Sequence, residues 1–190
     1  MKRILLTFLI GGLLAGGFLM IEKTQMPEAE AQNQSDAAWR KLADEAEIRR
    51  VIDEIDRTVD EKDWAKCQSY FAEDIDVDFT SLAGGKPARI KSAELVGGWR
   101  TNLYAEKKSQ HMRSNYRFNV TGDRAEVFSK GYALNILPMK TGGDLWEVWG
   151  DYRHTLERSS SGNTWKVTGM TLAVAHARGN EKVRDFVPQK

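Results

Sequence analysis

The chain has 190 residues, 28 basic against 27 acidic side chains and a single cysteine. This length suffices for one domain with its own hydrophobic core, and one cysteine excludes an internal disulfide. A net charge of +1, with no run of Arg and Lys interleaved with aromatics, argues against nucleic acid as a partner.

Met1-Lys-Arg3 followed by the apolar run Ile4 to Ile21 has the basic start and hydrophobic stretch of an export leader. Ala29-Glu-Ala31 supplies a small-x-small cleavage site, which makes residues 1–31 a signal peptide and sets the mature start near Gln32. The alternative is an uncleaved N-terminal anchor, since 18 apolar residues lie at the lower edge for spanning a bilayer. Both readings place the domain outside the cytoplasm, periplasmic or secreted, and membrane association follows only from the second. Residues 32–36 are polar and aperiodic and read as a linker, with Ser35 or Asp36 able to cap the first helix.

From Trp39 through Leu42, Ala46, Val51, Ile55 and Val59 apolar residues recur at three and four, which predicts a long amphipathic helix with Arg49, Arg50, Asp53 and Glu54 on its polar side. Asp63 caps a shorter helix carrying Trp64, Cys67 and Phe71, where Cys67 reads as a small apolar residue of a helix face. Ile75, Val77 and Phe79 alternate with Asp74, Asp76 and Asp78 in a strand. The three acids lack the glycine and distant glutamate of a calcium loop, so a solvated strand face is the simpler reading. Gly84-Gly85-Lys86-Pro87 is a turn, and Ser92 through Ala105 a third helix with Leu95, Val96, Trp99 and Leu103 on one face.

Four runs rich in aromatic and β-branched residues follow, about 109–120, 125–137, 145–158 and 164–176. Gly122-Asp123 joins the first two and Ser159 to Asn163 the last two. Helices first and an antiparallel meander afterwards is an α+β arrangement, with helices gathered on one side of a sheet. Parity along 146–156 points Trp146, Val148, Tyr152 and Leu156 one way and Trp149 the other. Two apolar sides on one strand predict a homodimer through the outer sheet face. The charged residues 181–190 read as an exposed tail.

Several short stretches stand in a telling order: Asp60-x-x-Asp63-Trp64, Phe71-Ala-Glu-Asp74, Gly97-Gly-Trp99-Arg100, His111-x-x-x-Asn115, Gly122-Asp123-x-Ala125, Gly150-x-Tyr152, Leu156-x-Arg158 and Gly179-Asn180. Together they resemble the SnoaL-like branch of the nuclear-transport-factor-two-like superfamily, the α+β cone shared with ketosteroid isomerase and scytalone dehydratase. The resemblance spans a domain at residues 37–180. It implies a strongly curved antiparallel or mixed sheet, with three N-terminal helices covering its concave face over an apolar pocket for a small hydrophobic molecule. It further implies dehydratase- or isomerase-type acid/base chemistry without metal or organic cofactor.

In that pattern Asp60 and His111 match the family's in-pocket acid and histidine, and Ile55, Trp99, Asn115, Asn135 and His176 fall where ligand contacts are expected. A proton beside a carbonyl calls for a base with a pKa near ambient pH, which imidazole meets unaided. A neighbouring carboxylate fixes its tautomer. Three departures thin this set. Ile55 stands where dehydratases of the branch often carry tyrosine, Leu134 and Asn135 where a second histidine or aspartate is common, and His176 where tryptophan is common. A lyase or isomerase is one reading, and a non-catalytic carrier of a small apolar ligand the other. His154, with no acid spaced to orient it, reads as structural.

Overall fold

The computed structural model describes residues 27–160 and 164–188. Its elements are α1 (Glu28–Asp60), α2 (Trp64–Gln68), β1 (Phe71–Asp78), α3 (Thr80–Ala83), β2 (Ala88–Lys91), α4 (Ser92–Asn102), β3 (Lys108–Thr121), β4 (Arg124–Ile136), β5 (Leu145–Arg158), β6 (Trp165–Gly179) and α5 (Glu181–Asp185). The strands form one mixed sheet in the order β2-β1-β6-β5-β4-β3, parallel at β1–β6 and antiparallel elsewhere. Register breaks within β1–β6, β3–β4 and β5–β6 bend the long strands and add to their twist. The result is a curved sheet with helices on its inner side, the α+β class expected.

The core lies between α1 and that inner face. Ile48, Val51, Ile52, Ile55 and Val59 form the buried stripe of α1, packed with Leu95 and Val96 of α4 and with Val127, Leu156, Val167 and Met170 of the sheet. A second cluster of Ala133, Leu137, Trp146, Val148 and Val183 fills the opposite end. The two leave a hollow between them.

Four sequence expectations change. The linker at 32–36 is helical: α1 begins at Glu28 behind Pro27, a residue suited to a helix start, so Ser35 and Asp36 lie inside the helix and cap nothing. Residues 27–43 are all exposed, and Trp39 and Leu42 therefore stand outside the core, because α1 outruns the sheet it packs on. Packing starts at Asp44, which receives Nη1 and Nη2 of Arg158, each at 2.8 Å, and Nε1 of Trp165 at 3.3 Å. The leader and most of its flank lie outside the described residues, as does part of the Ser159 to Asn163 connection.

The expected helices correspond to α1, α2 and α4, joined by the single turn α3 and by α5. The exposed tail is in part this last helix: Val183 is fully buried in the second cluster, and the Asn180 side chain caps α5 by accepting from the Lys182 N–H. The chain turns into α5 at Gly179, whose φ is +99° and whose missing Cβ would lie 2.3 Å from the Leu145 carbonyl oxygen. No other residue fits there.

Truncating Ile52 to alanine, at 1 % exposure, should cost roughly 2–5 kcal/mol by chemical denaturation. Trp39→Ala, at 68 % exposure, should stay within about 0.5 kcal/mol of the parent. Equal losses would mean that the first turns of α1 pack on the domain after all.

Candidate functional site

A carboxylate in the last turn of a helix faces the negative end of the helix dipole. Asp60 is so placed, and β3 compensates it: the His111 backbone N–H donates to Oδ2 at 2.7 Å and the ring Nδ1 to Oδ1 at 2.7 Å. An ionised Asp60 accepts from Nδ1–H, which selects the tautomer whose Nε2 carries the lone pair. Both side chains keep about a fifth of their surface open, 18 % and 20 %.

One turn earlier on α1 and two residues later on β3 a second pair repeats the arrangement, buried. Arg113 donates from Nε and Nη2 to the two oxygens of Asp56 at 2.6 and 2.9 Å. Burial pushes the Asp56 carboxyl up, but the Arg113 charge and hydrogen bonds outweigh it and hold the group below the usual carboxylate range. A third contact, from the Tyr116 hydroxyl to Asp53, continues the seam. At the near end Lys62 donates to Ser109 Oγ at 2.7 Å.

These residues stand at one side of a cavity of about 490 Å³. Its wall is mostly apolar: Ile55 and Val59 from α1, Phe79 and Leu82 around α3, Trp99 and Leu103 of the α4 end, Trp146 and Val148 from β5, Met170 and Leu172 from β6. His111, Asp56, Arg113, Asn135 and Tyr152 interrupt it with polar groups, and Arg184 and Asp185 of α5 close one end. The Arg184 carbonyl is fixed by the Asn102 amide and the Lys107 ammonium, both at 3.0 Å. Burial brings that ammonium down to about 8.

Of the residues singled out by sequence, the structure brings His111, Ile55, Trp99 and Asn135 to the cavity wall, with Asp60 directly behind His111. Asn135 is 6 % exposed, and among the described residues its side chain has no hydrogen-bond partner. Asn115 and His176 do not reach the cavity. The break in β3–β4 register between Ser114 and Arg117 puts Asn115 in an exposed bulge at φ +54°. It also resets the strand's parity, so that Tyr116 and Phe118 join His111 and Arg113 on the inner face and pack against the core. His176 is turned outward by the β5–β6 break at Trp149/Gly150 and lies exposed against the Trp149 ring, centroids 5.5 Å apart.

Asp56, Arg113 and the α5 residues escaped the sequence reading, whereas the parity of β5 had put Tyr152 on the face of Trp146 and Val148 that the cavity uses. Asp56 and Arg113 had a signal: they stand four before Asp60 and two after His111, the spacings that keep a side chain on the same face of a helix and of a strand. Cys67 is buried, and burial raises its thiol to about 11. Asp74 pairs with Lys91 and Asp76 with Arg89, while Asp78 accepts from Thr80. Among the described residues no three His, Cys, Asp or Glu side chains converge to hold a metal.

His154 is 1 % exposed, both ring nitrogens are without partners, and its ring stacks on Tyr152 at 5.9 Å. Burial, aided by the Arg113 charge, lowers it to about 3, so it stays neutral. The unfolded chain takes up this proton near the ordinary value of about 6.5 and the folded chain does not, so stability falls as pH drops from about 6.5 toward 3. His154→Leu should remove most of the decline in melting temperature between pH 7 and 5. An unaltered decline would assign it to other groups.

The SnoaL-like domain family matches residues 40–171 of the chain. No curated protein sequence matches it. Among solved structures the Kfla4162 protein of Kribbella flavida is 21 % identical with a TM-score of 0.68, over 73 % of this chain and 95 % of that one. A protein named provisionally as a scytalone dehydratase, from Novosphingobium aromaticivorans, is 17 % identical at 0.61, over 74 % and 89 %. A type-3 hexachlorocyclohexane dehydrochlorinase from Novosphingobium barchaimii is 17 % identical at 0.58, over 78 % and 97 %. At these identities the likeness is one of fold.

Proposed function

The chain belongs to the SnoaL-like domain family, and we propose that it is a lyase or isomerase acting on a small hydrophobic substrate, with His111 as the proton-transferring group and Asp60 orienting it. One observation carries this reading: the 2.7 Å contact between His111 Nδ1 and Asp60 Oδ1 at the wall of an apolar cavity. Nδ1 is committed to the carboxylate, which leaves Nε2 for the cavity's occupant. Asp60 stabilises the imidazolium as it forms, and the weakly polar surroundings strengthen that interaction. Two fold neighbours bear the names of elimination enzymes, a dehydratase and a dehydrochlorinase, which supports the same class.

A test that needs no known product is exchange of carbon-bound hydrogen in D₂O, followed by mass spectrometry over a panel of apolar ketones and hydroxyketones. The wild-type protein should catalyse exchange on members that fit, and His111→Gln should slow it by roughly 10²–10⁴-fold. Exchange at wild-type rate in His111→Gln would end the catalytic reading. The carrier reading is favoured by Ile55 and Asn135, which put non-ionisable groups where acid/base residues are common. It would gain from an intact apolar ligand that co-purifies with both proteins.

The domain is further proposed to act outside the cytoplasm, on the strength of the leader-like residues 1–21, and to pair through its outer sheet face. That face carries Tyr132, Trp149 and His176 in a row, with ring centroids 5.0 and 5.5 Å apart. Trp149→Glu should shift the mass by light scattering from dimer to monomer. An unshifted dimer would move the interface elsewhere.

A further inference from the structure

The helix α4 has two unlike halves. In the first, Ser92, Leu95 and Val96 are buried, and the two apolar residues pack into the main core. In the second, Trp99 and Asn102 face the cavity together with Leu103, which ends the helix. Between the halves stand Gly97 and Gly98, both exposed. A Cβ built on either would meet nothing within 4 Å, and neither glycine has a positive φ. Neither packing nor backbone conformation calls for glycine, and alanine would fit at both places. Two glycines in the middle of a helix of 11 residues weaken it all the same. Thr101 adds to this, since its hydroxyl donates to the Gly97 carbonyl at 2.9 Å, a back-bond of the kind that bends helices. A local rule broken without a gain in packing is a mark of function.

Beyond the glycines the helix is held by contacts that a small rotation can break and remake. Trp99 meets the Phe71 and Phe79 rings edge-on, with centroids 5.9 and 6.5 Å away, and Leu103 closes against the core. The tie to α5 is the Asn102 amide, which donates to the Arg184 carbonyl at 3.0 Å. Lys107 Nζ reaches the same carbonyl at 3.0 Å and Asn102 Oδ1 at 3.4 Å. One carbonyl thus draws together the end of α4, α5 and the residue before β3.

We infer that the second half of α4 is a gate to the cavity, with Gly97-Gly98 as its hinge, Trp99 and Leu103 as its inner face and Asn102 as the latch that closes it on α5. The inference rests on the reading that the cavity takes a small apolar molecule, and it holds whether that molecule is transformed or carried. Opening bends α4 at the glycine pair and lifts Trp99 and Leu103 off the cavity, while Leu95 and Val96 keep the first half docked. Closing returns both side chains over the occupant and shuts out water. The closed form is the dominant one, so the gate sets how fast a molecule enters and leaves and does not alter how tightly it is held.

The experiment is stopped-flow fluorescence of the full chain with naphthalene as the probe. In Gly97→Ala/Gly98→Ala the stronger helix opens less often, so association and dissociation should both slow by roughly tenfold with an unchanged dissociation constant. Hydrogen exchange at the amides of residues 100–103, with no probe present, should slow by a similar factor. Asn102→Ala removes the latch and should raise both rates together, by about the threefold or more of one neutral hydrogen bond. Rates equal to wild type in the double alanine variant overturn the gate, and so does a change in only one of the two. Unchanged exchange at 100–103 overturns the hinge. Failure of the cavity reading is distinct: wild type then gives no saturable naphthalene signal, and the gate falls with it even where exchange slows.

Discussion

The site depends on a match of two repeats between α1 and β3. Four residues of helix advance about 6 Å and two residues of strand about 6.6 Å. Asp56 and Asp60 on one face of α1 therefore meet Arg113 and His111 on one face of β3 in a single register. A slip of one residue on the strand would turn both basic partners outward and leave two acids against an apolar wall. The buried Asp56–Arg113 pair makes such a slip costly, since breaking a pair of this kind leaves an uncompensated charge worth about 3–5 kcal/mol. The more open Asp60–His111 pair can then keep a fixed geometry without being sealed off, and a group that must exchange protons with an occupant needs that access.

The hollow itself comes from interruptions in otherwise regular strands. Breaks in register at Ser114/Arg117 and Trp149/Gly150 bend the meander around the helices. At Gly131 and Gly150 the inner face carries no side chain where neighbouring positions hold Ala133, Val148 and Tyr152. Tyr152 partly fills that gap, and its ring gathers three groups: the Arg113 guanidinium, the neutral His154 and the cavity. The unpartnered nitrogens of His154 have a stability cost that rises in acid. That cost falls one ring behind the cavity wall, and functional surfaces are where local rules are most often broken. The far end of the hollow is closed by chain that reads in the sequence as an exposed tail: α5 is fixed by Val183 in the second cluster and by Asn102 and Lys107 at the Arg184 carbonyl.

The α+β order of elements, the long helix, the α4 face and the four meander strands were all legible in the sequence, because periods of 3.6 and 2 are written directly in apolar spacing. The place of Asp60 and His111 was legible through their motifs. Asn115 and His176 were misplaced for one shared reason: each lies at a bulge, and an extra residue in a strand flips the parity of all that follows without any mark in the pattern. The helical nature of 28–38 was obscured because a solvated helix carries no apolar stripe. The docking of α5 was hidden because one buried valine, Val183, is too little signal to mark a docked turn.

What the sequence determined by itself was therefore local: which segments coil or extend, which face of each is apolar, and which residue types suited to acid/base work are present. Which of those residues meet was decided by the tertiary structure. Pairings such as Asp60 with His111, Asp56 with Arg113 and Tyr152 with Gly131 join positions far apart in the chain or on neighbouring strands. Their distances depend on sheet curvature and on the helix–strand register, quantities that exist only once the chain has closed on itself.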